Sequence, residues 1–184
     1  MSHGQARLPS VNSQTMRAIL GKITPTVWVL LAGLFSASML AFAFYAEHVE
    51  NYLPCPLCLR QREVYFAVIA VAATGYLLMR IRPTRRFADG LALMIGLIFL
   101  TGAVVATYHA GAEFGWWQGP SGCSGGGSGL DVVIDIDSPE GVVSCVDPLW
   151  HFLGFSMAAW NAVISVGLAL ASFAAVRNPF TPAG

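Results

Sequence analysis

The chain has 184 residues, of which 55% are hydrophobic and only 11% charged, with ten Lys and Arg balanced by ten Asp and Glu. Soluble domains carry roughly a quarter charged residues, so this hydrophobic chain is not a disordered one, and without a basic excess it is not a nucleic-acid binder. A mean hydropathy of +0.62 leaves more apolar side chains than one small core can bury, and a bilayer is where such a surplus goes.

Residues 1–26 carry Arg7, Arg17 and Lys22 and no acid. Val27 to Ala46 is then charge-free for twenty residues, long enough to cross a hydrocarbon core at about 1.5 Å per residue. Ala41-Phe42-Ala43 looks like a cleavage site, but the leader and the apolar run are too long for a signal peptide, so the segment reads as a retained helix. Glu47 and Glu50 follow as solvated loop charges. The run Val64 to Met79 has only sixteen residues and reaches spanning length only if the helix starts near Cys55. Pro56 fits that start, because the first helical position needs no N–H. The connection 80–89 holds Arg80, Arg82, Arg85 and Arg86 against Asp89, and Gly90 to Ala112 is the third charge-free run. Residues 113–147 carry six acids and no Lys or Arg, with the flexible glycine-rich patch Ser121 to Gly129 inside them. Leu149 to Val176 is the fourth run, and Arg177 follows it.

The expected fold is all-α: one integral membrane domain over 1–184, a four-helix bundle. Its helices cover about 27–46, 55–79, 90–112 and 148–176, and its outward loops about 47–54 and 113–147. Eight of the ten basic residues lie in the termini and the 80–89 turn, so the positive-inside rule makes both termini cytoplasmic. Trp116 and Trp117 suit the outer interface and Trp28 the inner one. The Gly and Ala residues of the runs serve helix packing.

All four cysteines fall in the outward segments: Cys55 and Cys58 in a C-P-L-C motif, Cys123 and Cys145 further on. Two bridges are possible there, with three pairings open. A bridge across so tight a loop as Cys55–Cys58 contributes little stability, so the motif points to redox chemistry. Zinc needs a closed four-ligand set, usually a second tight pair, and the 123–145 spacing is a poor match, so no metal is expected. Cys55 near the N-cap and Cys58 in the first turn lie where the helix dipole favours a thiolate. Arg62 follows on the same face and suits an anionic thiolate or a reduced cofactor, or else a snorkelling phosphate anchor. Arg60 points elsewhere. His109, near the outer end of the third helix, is either a functional group at membrane depth or a headgroup contact. His151 and Asn161 in the fourth helix are expected to make interhelical hydrogen bonds. Two pairs on an oxidising face suggest an electron relay by thiol–disulfide exchange, ending on a lipid-soluble quinone. No GxGxxG or P-loop pattern supports a nucleotide.

The stretches PCPLCLRQR (Pro54 to Arg62), YHAGAEFGWWQGPSGC (Tyr108 to Cys123) and CVDPLWHFLGFSMAAWN (Cys145 to Asn161) resemble the DsbB family of disulfide-forming membrane proteins, from about residue 27 to 176. The resemblance implies a bacterial inner-membrane oxidoreductase with its cysteines on the periplasmic side. It implies that Cys123 and Cys145 form a loop disulfide that oxidises a DsbA-like thioredoxin-fold partner through Cys123. It further implies that Cys55 and Cys58 reduce ubiquinone or menaquinone, that Cys58 is the thiolate facing the ring, and that Arg62 and His109 support the quinone. The 123–145 stretch departs from the family in being short, glycine-rich and acidic, with no amphipathic helix. A vitamin K epoxide reductase-like protein is the nearest alternative, but there the catalytic pair follows the loop pair. A membrane scaffold with two structural bridges is the other.

Overall fold

The computed structural model describes residues 24–81, 83–120, 145–146 and 150–176. Four helices dominate: α1 Pro25–His48, α2 Pro56–Ile81, α3 Arg85–Glu113 and α4 Met157–Val176. Each is long and apolar enough to cross a membrane. Thr24 caps α1 by accepting the Val27 N–H at 3.3 Å, with Pro25 in the first turn. Asn51, with a φ of 58°, takes the left-handed conformation in the turn that leads to α2; Asn tolerates that conformation better than most residues. Pro56 opens α2 as expected, and the Cys55 carbonyl accepts the Leu59 N–H at 3.1 Å.

The bundle interior is built from all four helices, with Val29, Leu40, Tyr65, Val68, Ile95, Phe99 and Ala169 in one buried cluster. Small residues let the helices approach closely, as membrane helix packing requires. A Cβ on Gly33 would lie 2.8 Å from the Ala72 Cβ, and one on Gly96 would lie 2.7 Å from Phe173 Cε1. Large apolar side chains such as Leu34, Leu77, Val104 and Leu170 point outward, where lipid would solvate them. Trp28 is half-buried and donates to Ser172 Oγ at 2.9 Å.

The fourth helix begins later than the expected 148. The strands β1 His151–Phe152 and β2 Phe155–Ser156 pair antiparallel, Phe152 opposite Phe155. Leu153 and Gly154 have φ values of 52° and 82°, and a two-residue hairpin turn with both central residues left-handed ends the helical pattern there. Trp150 stacks on Phe152 with centroids 5.7 Å apart, and Trp160 donates to the Phe152 carbonyl at 2.9 Å. Ser156 then caps α4 by accepting the Ala159 N–H at 3.1 Å. His151 therefore lies exposed in the hairpin and not in an interhelical bond. Cys123, most of the 113–147 loop, the glycine-rich patch and both termini lie outside the described residues.

Candidate functional site

The start of α2, the end of α3, the hairpin and Cys145 meet at one end of the bundle, opposite the turn that carries Arg80, Arg85 and Arg86. Cys55 is the N-cap residue of α2. Its Sγ accepts the backbone N–H of Cys58 at 3.2 Å, as a Ser or Asp oxygen does in an ordinary cap. The two sulfurs lie 2.8 Å apart and share a hydrogen bond. Both are free thiols, whereas Cys145 is disulfide-bonded. Cys55 and Cys145 are almost fully buried and pack together with Leu57, and Cys58 rests against them.

His109 completes the surroundings of Cys55. It is buried, with 3% exposure, so it faces the bundle interior and not the headgroups. Its Nε2 is 3.6 Å from Cys55 Sγ and 3.6 Å from Glu113 Oε1. Its Nδ1 is 2.8 Å from Gln61 Nε2. Behind Gln61 a chain of amides runs into the bundle. Tyr65 and Ser165 hydroxyls both donate to Asn161 Oδ1, and Asn161 Nδ2 donates to Gln61 Oε1. That direction leaves Gln61 Nε2 as donor to Nδ1, so the network assigns the neutral ring's hydrogen to Nε2, facing Cys55. The interhelical role expected of Asn161 is thus present. Glu113 in turn accepts from Ser156, the cap of α4.

The hydrogen bond from Cys58 is the largest influence on Cys55, and it holds the thiol well below its ordinary range. Burial opposes it, and the hydrogen bond from His109 adds to the lowering. Cys55, one position before the helix, is thus a sulfur whose neighbours favour the thiolate form.

Arg62 is mostly buried. It pairs with Glu47 at the end of α1, donates to the Ala43 carbonyl at 3.3 Å and lies 5.3 Å over the Phe44 ring. Glu47 is thus an ion-pair partner and not a solvated loop charge; the reason is tertiary, since α1 runs to His48 and brings it beside α2. Glu50 stays exposed and accepts from Tyr45 at 3.2 Å. Arg60 points to the surface and pairs with Glu63.

A cavity of about 330 Å³ joins these groups. Its walls are apolar side chains of α1 and α4 such as Leu40, Phe42 and Ile164. Cys55, Cys58, Arg62, His109 and Cys145 all line it. Five of the six residues singled out in the sequence thus share one chamber, and Cys123 lies outside the described residues. Sequence reasoning passed over Gln61, Tyr65 and Glu113. For the first two the available signal was spacing, since residues 58, 61, 62 and 65 fall on one side of a helix. For Glu113 it was a carboxylate ending a run free of charge.

The family described as disulfide bond formation protein DsbB matches residues 25–175. The chain is 29% identical to Disulfide bond formation protein B of Marinobacter nauticus over 163 residues, 82% of this chain and 92% of that one. It is 31% identical to Disulfide bond formation protein B of Aromatoleum aromaticum over 145 residues, 73% and 82% of the two chains. It is 27% identical to an uncharacterized protein of Rickettsia prowazekii over 134 residues, 70% and 74%. No solved structure matches the chain.

Proposed function

Because the chain belongs to the DsbB family of disulfide bond formation proteins, we propose that it reoxidises a DsbA-like, thioredoxin-fold dithiol protein and passes the electrons to a membrane quinone, ubiquinone or menaquinone. Membership and the four spanning helices make it a disulfide-forming, multi-pass membrane oxidoreductase. The partner, the acceptor, the inner membrane and the periplasmic placement of the cysteines are the proposed part. One observation carries the reading: Cys145 packs on Cys55 beside Cys58, in a chamber that also holds Arg62.

The exchange proceeds from a resting state with Cys123–Cys145 and Cys55–Cys58 disulfides. A partner thiolate attacks Cys123, giving a mixed disulfide and a Cys145 thiolate. The partner's second thiolate displaces Cys123 and leaves the partner oxidised. Cys145 attacks Cys55, releasing Cys58 as a thiolate. With Cys55 engaged, Cys58 carries charge in the first turn of α2, one helical turn before Arg62; this is where a Cys58 thiolate belongs in the cycle. Cys123 then attacks Cys145, restores the loop disulfide and frees Cys55. The partner has lost two electrons and two protons, and the Cys55–Cys58 pair holds the electrons.

A quinone supplies a two-electron, two-proton acceptor that leaves as quinol. The chamber fits its head group in kind: apolar walls for the ring and a cation at one side. Arg62 carries five N–H donors and engages two groups, Glu47 and Ala43, so donors remain for a carbonyl oxygen. His109 stabilises the Cys55 thiolate, and Gln61 holds the ring in the orientation that does so.

Alkylation trapping of cysteine thiols in quinone-depleted cells tests the reading. Reduced Cys55 and Cys58 accumulate if the pair discharges to quinone. Unchanged disulfides would favour an inert scaffold and overturn it.

A further inference from the structure

Outside the exchange itself, Cys55 Sγ, Cys58 Sγ and His109 Nε2 lie within 4.8 Å of one another, with the Glu113 carboxylate beside the histidine. We propose that the reduced chain binds one soft divalent cation of the zinc type here, through Cys55, Cys58 and His109, with the Glu113 carboxylate turning in to close the shell.

The donor set is the kind such ions select, two thiolates and an imidazole with an oxygen to close the shell. The distances already approach the required shape. A tetrahedral ion with bonds of about 2.3 Å to sulfur and 2.0–2.1 Å to nitrogen sets those two atoms about 3.6 Å apart. Cys55 Sγ and His109 Nε2 are 3.6 Å apart. The nitrogen-to-oxygen edge would be about 3.4 Å, against 3.6 Å between His109 Nε2 and Glu113 Oε1. The Glu113 carboxylate lies outside the 4.8 Å cluster of the other three donors and must turn toward it, and the two sulfurs are too close, at 2.8 Å. They must open to about 3.8 Å, a movement open to the half-buried Cys58 side chain on the chamber wall.

Binding also requires a lone pair on Nε2, so the ring hydrogen moves to Nδ1. Gln61 then turns its amide to accept it, and Asn161 and Tyr65 reverse with it. A ligating histidine gives its other N–H to such a partner, and an amide chain ending on a hydroxyl can run either way. The step balances as Zn²⁺ plus two thiols giving the bound ion and two released protons, with no electron transferred. A Cys55–Cys58 disulfide has no thiolates to offer, so ion binding and oxidation of the pair exclude each other. The proposal does not depend on quinone or on the soluble partner.

The test uses full-length, quinone-free Cys123→Ser/Cys145→Ser protein in detergent, reduced anaerobically and titrated with Cd²⁺. The expected result is a sulfur-to-cadmium charge-transfer band saturating at one ion per chain, two protons released, and displacement by Zn²⁺. The band is absent once the pair is oxidised to its disulfide. His109→Ala weakens binding by about tenfold or more, Gln61→Leu weakens it about tenfold, and Gln61→Glu, which fixes an acceptor for Nδ1–H, tightens it. No band in the reduced protein would overturn the proposal. So would an affinity untouched by His109→Ala, or a shift in the same direction for both Gln61 variants.

Discussion

Replacing His109 by Ala probes how the site prepares its first sulfur. The ring's Nε2 lies 3.6 Å from Cys55 Sγ, and both groups are buried. A hydrogen bond to a charged group is worth about 1.5–3 kcal/mol, and one pKa unit is 1.36 kcal/mol. Losing the contact should therefore raise the Cys55 titration by about one to two units. Because the thiolate is the reactive form, the alkylation rate falls as pH drops through that titration. The assay is the pH profile of iodoacetamide labelling at Cys55, read by mass spectrometry on the reduced, quinone-free Cys123→Ser/Cys145→Ser chain. His109→Ala should move the midpoint upward, and below the original midpoint labelling slows about ten- to a hundredfold. Cys58→Ala removes the larger influence, the sulfur hydrogen bond, and should move the midpoint further still. A midpoint unchanged in His109→Ala, or a larger shift there than in Cys58→Ala, would refute the reasoning.

Arg62→Ala should raise the KM for quinone while leaving disulfide exchange at Cys123 intact, as measured by mixed-disulfide trapping. It should also lower thermal stability, since removing one member of a largely buried pair costs about 3–5 kcal/mol; adding Glu47→Gln restores the stability but not the KM. Gly111→Ala should destabilise by about 1–3 kcal/mol, because a Cβ there would sit 2.0 Å from Trp117 Cζ2; pairing it with Trp117→Ala recovers the loss in a detergent melting curve. Ser156→Ala removes the cap of α4 and a partner of Glu113 and should cost about 1–2 kcal/mol, seen as faster proteolysis at the hairpin.

What the sequence made legible was whatever depends on runs and local spacing. Charge-free stretches located four helices, and the short second run pointed to a helix starting at Pro56, where it does start. That placed Cys55 at a cap and Cys58 and Arg62 one and two turns along. What stayed hidden depends on neighbours from other helices. Glu47 looked solvated because nothing in its own segment places it against Arg62. Gln61 sits between two arginines in CLRQR and looked like surface, yet it is the buried residue of the three, because its side of α2 meets His109 and Asn161. His151 and the hairpin were missed because a charge-free run does not reveal where the backbone leaves the helix; only Gly154 and the aromatic cluster around Trp160 marked it.

Anaerobic reconstitution of the purified full-length protein with a reduced DsbA-like protein and ubiquinone or menaquinone, following quinone absorbance, tests the central claim most directly. The account predicts one quinone consumed per partner disulfide formed, and no consumption with Cys58→Ser. Partner thiols that discharge to neither quinone, or full activity in Cys58→Ser, would contradict it.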